Sequence, residues 1–146
     1  MSPPPIVLVD PFDLPDWLGT GEVTWSADAG LRTGHHVRGI LTSPDDDHHP
    51  LACDLLAVDE AYPAPVTCDR SRAAAHQAWQ HGQVLIGRYD DRLVLAVPGT
   101  AFGADLVLDT VSRLAKAVGA APERFAAHLR IGSQAPRRAR PPGTAG

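Results

Sequence analysis

Lysine is almost missing from this chain. Of its thirteen basic residues only Lys116 is a lysine. With the high Ala, Gly and Pro content, that bias points to a GC-rich genome rather than to a function. Cysteine is scarce as well: Cys53 and Cys68 stand apart and form no Cys-x-x-Cys pair. Isolated cysteines of this kind read as small buried hydrophobes, with a redox pair or a thiolate nucleophile as the alternatives. No apolar run reaches the roughly 18 residues that a membrane-spanning helix needs. Met1 to Pro5 carries no cationic patch ahead of an apolar stretch, so it does not read as a signal peptide. A cytoplasmic location is therefore expected. The chain has no GxxxxGK[ST] and no GxGxxG, hence no evident cradle for nucleotide phosphates. It has no GxSxG elbow for a nucleophilic serine, and its six serines are scattered.

What remains is an ordinary globular composition. The 146 residues (15.5 kDa) are 44% hydrophobic and 21% charged, which suits one domain with a packed core. The net charge is −4, and Arg137, Arg138 and Arg140 lie in a final stretch without acids. Setting those three aside leaves ten bases against seventeen acids, a body of −7. Nucleic-acid binding calls for a basic face that displaces counterions from phosphates, and this body has the wrong sign.

Both ends read as unstructured, residues 1–11 with their proline run and residues 133–146 (SQAPRRARPPGTAG) as a basic tail. Residues 12–132 read as a single α+β domain. In PFDLPDWLG, Asp13 can cap a short helix, Pro15 suits its first position and Gly19 can end it; Phe12, Leu14, Trp17 and Leu18 are its expected core anchors. From Glu22 to Asp28 the chain alternates, with Val23, Trp25 and Ala27 on one face, as in a strand with one wet side. A second strand is expected over 35–42 and a third, more apolar one over 51–59, making an antiparallel meander. A prolyl segment then leads to a helix capped by Asp69 or Ser71 and ended by Gly82, with Ala75, Ala78 and Trp79 as its stripe.

QVLIGRY and RLVLAV around Asp90-Asp91 read as a hairpin, with Arg88 and Arg92 flanking and pairing with the acidic turn. Over 104–118, Val107, Val111, Leu114 and Val118 line one stripe of an amphipathic helix, with Asp105, Asp109, Ser112 and Lys116 opposite. Pro122 is expected to open a last short helix with Phe125, Ala126 and Leu129 facing inward. The fold expected is thus α+β: a five-stranded antiparallel sheet, a three-strand meander plus a hairpin, with helices packed on one face.

The order α-β-β-β-α-β-β-α resembles that of type III secretion chaperones and the related YbjN-like bacterial proteins. It does so most clearly over AAAHQAWQHGQVLIGRYDDRLVLAVPGTAFGADLVLDTVSRLAKAVG, residues 73–119. The resemblance implies a non-catalytic chain that holds a partner or acts as an adaptor, with a helix that helps to make a homodimer.

The seven histidines raise the question of a metal. His35-His36 and His48-His49 would sit about 20 Å apart along an extended strand, too far to share an ion. His76 and His81 would lie about 140° apart around a helix. The loop Asp45, Asp46, Asp47, His48, His49 is the remaining candidate, although it has no tetrahedral ligand set; a solvated loop is its plainer reading. Trp17, Trp25 and Trp79 fall on apolar faces and read first as core. Tyr62, held between prolines in AYPAP, suits an interface anchor. Tyr62, Trp79 and Arg88 are the candidate partner-binding residues. No catalytic residue and no cofactor are expected. The leading expectation is a non-catalytic adaptor or chaperone-like domain that binds a protein, homodimeric, with neither membrane nor nucleic acid as partner. The alternative is a small-molecule or metal-ion binding protein, possibly an enzyme, using a pocket between the sheet and the last long helix.

Overall fold

A computed structural model describes residues 6–27, 36–44, 49–59, 69–89, 91–128 and 137–138. The chain runs through β1 (Val7–Leu8), a 3-10 turn (Pro11–Asp13), α1 (Trp17–Thr20), β2 (Val23–Ala27), β3 (His36–Val37), β4 (Gly39–Thr42) and β5 (Leu51–Ala57). It continues through α2 (Asp69–Gln80), β6 (Leu85–Tyr89), β7 (Arg92–Val97) and α3 (Ala104–Ala117). A 3-10 turn (Pro122–Arg124), β8 (Phe125–His128) and β9 (Arg137–Arg138) complete it. Two of these pieces fall in segments that read as unstructured: β1 near the N-terminus, and β9 in the arginine tail.

The strands form one sheet in the order β1-β6-β7-β5-β4-β2-β8-β9. β3 and β4 meet β5 in one register, His36 opposite Leu56 and Leu41 opposite Leu51. They are one strand interrupted at Arg38, so the path has eight strands rather than five. The sheet is mixed. Its meander and hairpin are antiparallel as expected, but β5 lies parallel to β7 and β2 parallel to β8. The first parallel pair exists because α2 carries the chain across before the β6–β7 hairpin, which then folds back so that β7 lands beside β5.

The second parallel pair replaces the expected last helix. Pro122 opens only a 3-10 turn, and Phe125, Ala126 and Ala127 are then all buried. Burial on both faces is what a strand inserted beside β2 provides, and that pairing overrides the helix propensity of the alanines.

Alternation assigns the two faces. Leu55, Ala57, Leu93, Leu95 and Val97 pack with Val107, Val111 and Leu114 of α3 and with Leu18 of α1. Leu56, Val58, Val94 and Ala96 pack instead with Ala75 of α2 and with Ile6. Helices therefore lie on both faces, not one. The four terminal residues of β5 and their neighbours on β7 are buried on either side, which explains the continuously apolar run over 51–59.

Several single expectations change as well. α1 is flanked by Asp16 and Gly21, while Asp10, not Asp13, caps the preceding turn by accepting from the Phe12 N–H. Leu14, Trp17 and Leu18 are buried, whereas Phe12 is 93% exposed. Ser112, placed on the wet face of α3, is buried. Positive φ at Gly82 and Gly119 follows the ends of α2 and α3, where a left-handed residue reverses the chain.

Candidate functional site

Three sets of side chains stand out, and each is built by strands or helices far apart in sequence. The first lies at the interruption between β3 and β4. Asp54, buried on the α2 face of β5, accepts from Arg92 Nε at 3.0 Å and from Arg92 Nη2 at 2.8 Å. It also accepts the Gly39 N–H at 3.2 Å, and His36 Nε2 stands 3.4 Å away. Arg92 Nη2 donates to the Gly39 carbonyl at 3.1 Å. Burial alone would raise the Asp54 pKa; the hydrogen bonds from His36, Arg92 and Gly39 outweigh it and hold the carboxyl below its ordinary value.

The same interruption frees the Cys53 carbonyl, which the Trp25 indole N–H fills at 2.8 Å. The ring passes directly over Gly39, where a Cβ would come within 2.4 Å of it. The network therefore locks the centre of the sheet. Arg92 serves the distant Asp54; Asp90, in the turn with which it is expected to pair, lies outside the described residues.

The second set closes the ends of the parallel pair. Asp59, just past β5, accepts the Gly99 N–H at 2.8 Å and lies 2.8 Å from His76 Nε2 of α2. The His76 bond leads among the causes that hold its carboxyl below the ordinary value. The carboxyl ends of parallel strands are where open α/β sheets bind ligands, and an aspartate–histidine pair can move a proton. Among the described residues His76 has no hydrogen-bonded hydroxyl or thiol to activate, so what the geometry performs is a tether of α2 to the strand ends.

The third set lies at the β1 edge. Arg113 of α3 stacks on Trp79 at 3.4 Å and donates through Nη1 to the carbonyls of Trp79 and Gln83, closing the end of α2. Beside it a cleft of about 470 Å³ opens between β6 and α3, lined among others by Leu8, Val84, Ile86, Arg113 and Lys116. A second, of about 520 Å³, runs between α3 and the 11–20 segment and shares Pro11, Lys116 and Ala117 with the first. Val7, Leu8 and Phe12 are 56%, 66% and 93% exposed along this edge.

The residues singled out from the sequence are dispersed. Trp79 is half-buried with one ring face covered by Arg113. Arg88 is exposed on β6, opposite Val7. His49 is exposed. Asp45, Asp46, Asp47, His48, Tyr62 and Cys68 lie outside the described residues. No group of three or more His, Cys, Asp or Glu side chains among the described residues is placed to hold a metal ion. Burial pushes the Cys53 thiol far above its ordinary range, so it is no nucleophile. No helix among the described residues is long and apolar enough to cross a membrane.

No family model, no curated protein and no solved structure matches the chain.

Proposed function

We propose that this chain is a non-catalytic protein-binding module, adaptor-like or chaperone-like, and that its partner adds an extended apolar segment along β1. One observation carries the reading: three large apolar side chains, Val7, Leu8 and Phe12, stand exposed within six residues beside a sheet edge. The backbone there is suited to pairing. The Val9 N–H donates to the Ile86 carbonyl, and Val7 is opposite Arg88 in the same register. In an antiparallel ladder the residue between them points its N–H and C=O outward. Leu8 thus offers one donor and one acceptor to a further strand, with no described strand on that side.

Short strands and charged side chains normally blunt an edge. β9 at the opposite edge is short and carries Arg137 and Arg138, whereas β1 is short but apolar. The elements from α1 to α3 also follow the order on which the resemblance to secretion chaperones rests. The edge is self-complementary too: Leu8 set opposite Leu8 of a second copy would exchange two hydrogen bonds and satisfy both groups of each copy, which is how the expected homodimer belongs to the same reading.

The test is a native pull-down of the full chain from its own cells, read by mass spectrometry beside a Leu8→Glu/Phe12→Glu variant. Both side chains are exposed, so the variant keeps the fold. The reading expects a stoichiometric protein partner that the variant loses. A wild-type preparation without a partner, or a partner the variant retains, contradicts it. A second reading, a small-molecule binding protein, is favoured by the cleft between β6 and α3, which lies where the sheet meets the last long helix.

A further inference from the structure

We infer that the cleft between β6 and α3 takes a small apolar carboxylate, with Lys116 as its charge partner; this rests on the second reading above and goes beyond the β1 edge. The cleft volume of about 470 Å³ falls within the range of small-molecule sites, which combine apolar walls with a few placed polar groups. Leu8, Val84, Leu85 and Ile86 supply such walls, and the charged residues that line it are Arg113 and Lys116, both cations.

The two cations differ in how far they are already used. Arg113 spends Nε on Asp109 and Nη1 on two carbonyls, and none of these bonds uses Nη2. Lys116 is exposed and forms no ion pair with a described residue; its ammonium hangs near Gly82, 3.8 Å from where a Cβ there would stand. The end of α2 contributes about half a negative charge at that point, less than the two cations together, and one of its carbonyls, that of Trp79, is already bonded to Arg113. Since Lys116 also lines the second cleft, a carboxylate on its ammonium has room for an apolar body on either side.

A compact ammonium on a flexible stem can follow a small carboxylate into a cleft, whereas an arginine fork beside it is fixed by stacking and capping.

The experiment uses the full chain with octanoate and, as the uncharged counterpart, 1-octanol, followed by calorimetry. The expected result is one octanoate per chain, bound at least about tenfold more tightly than octanol, a charge-assisted bond being worth that much. Lys116→Gln should bring octanoate down to the level of octanol, and Lys116→Arg should keep most of the preference, with unchanged melting in both variants because the side chain is exposed. Equal binding of octanoate and octanol, or an unaffected Lys116→Gln, overturns the carboxylate assignment while leaving a ligand cleft. Absence of saturable binding by either compound overturns both the assignment and the second reading.

Discussion

Asp54 has donors from three other residues around it and almost no water, and the centre of the sheet depends on that balance. Removing Arg92 leaves the carboxylate buried without its cation, a change that typically costs about 3–5 kcal/mol. Arg92→Ala is therefore expected to lower stability by about 3 kcal/mol in urea denaturation, with a smaller loss for Asp54→Asn. The carboxyl titrates below its ordinary value, so the stability it contributes is present above the unfolded pKa of about 3.9 and is lost as pH falls through the lower folded value. Wild type compared at pH 7 and pH 3 should lose more stability than Asp54→Asn does over the same interval. Gly39→Ala should cost about 1–3 kcal/mol by overpacking, because its methyl would meet the Trp25 ring at 2.4 Å. Almost none of this was legible in the sequence. Arg92 stands next to Asp90-Asp91 but 38 residues from Asp54, and local proximity gives no hint of the distant acid. Trp25 was read correctly as core from its alternation, though its bond to the Cys53 carbonyl depends on a strand lying between them.

At the scale of elements, local periodicity served where an element's surroundings repeat along it. β2 and α3 were legible because one face of each lies deeper in the core than the other, and the β6–β7 hairpin because acidic turn residues separate two apolar runs. Pairing between distant strands leaves no such trace. Phe125, Ala126 and Leu129 fit a helical spacing, and only the open edge of β2 makes Phe125–His128 a strand. The fully buried Phe125 anchors that strand against α3, so Phe125→Ala should cost about 3–5 kcal/mol and release β8 from β2. Loss of amide protection confined to β8 and the neighbouring edge of β2 would check it. Arg113 couples α2 to α3 through a stack and two carbonyls. Arg113→Ala is expected to cost about 1–3 kcal/mol and to shift the emission of Trp79, measured against a Trp79→Phe control.

Over the whole molecule the α+β class and the central order of elements were readable, and the sheet's width, its mixed direction and the helices on both faces were not. The exposed edge was missed for a related reason. Val7 and Leu8 sit after a proline run and look like the end of an unstructured segment, and Phe12 looks like a core anchor. Only the pairing of β1 with β6 turns these three into one apolar rim beside an open ladder. Mutating the rim tests what binds, while the Asp54 and Phe125 variants test what holds the frame. The two groups should separate: frame variants lose stability, and rim variants lose the partner at unchanged stability.

Amide hydrogen exchange at β1, in the free chain and in the complex with its captured partner, tests the docking edge most directly. In the free chain the Val9 amide, bonded to Ile86, should exchange slowly, and the outward Leu8 amide quickly. Binding should slow Leu8 by at least about tenfold, the effect of a new bond worth about 1.4 kcal/mol. A Leu8 amide that exchanges equally fast in the free chain and in the complex would contradict a partner strand at β1.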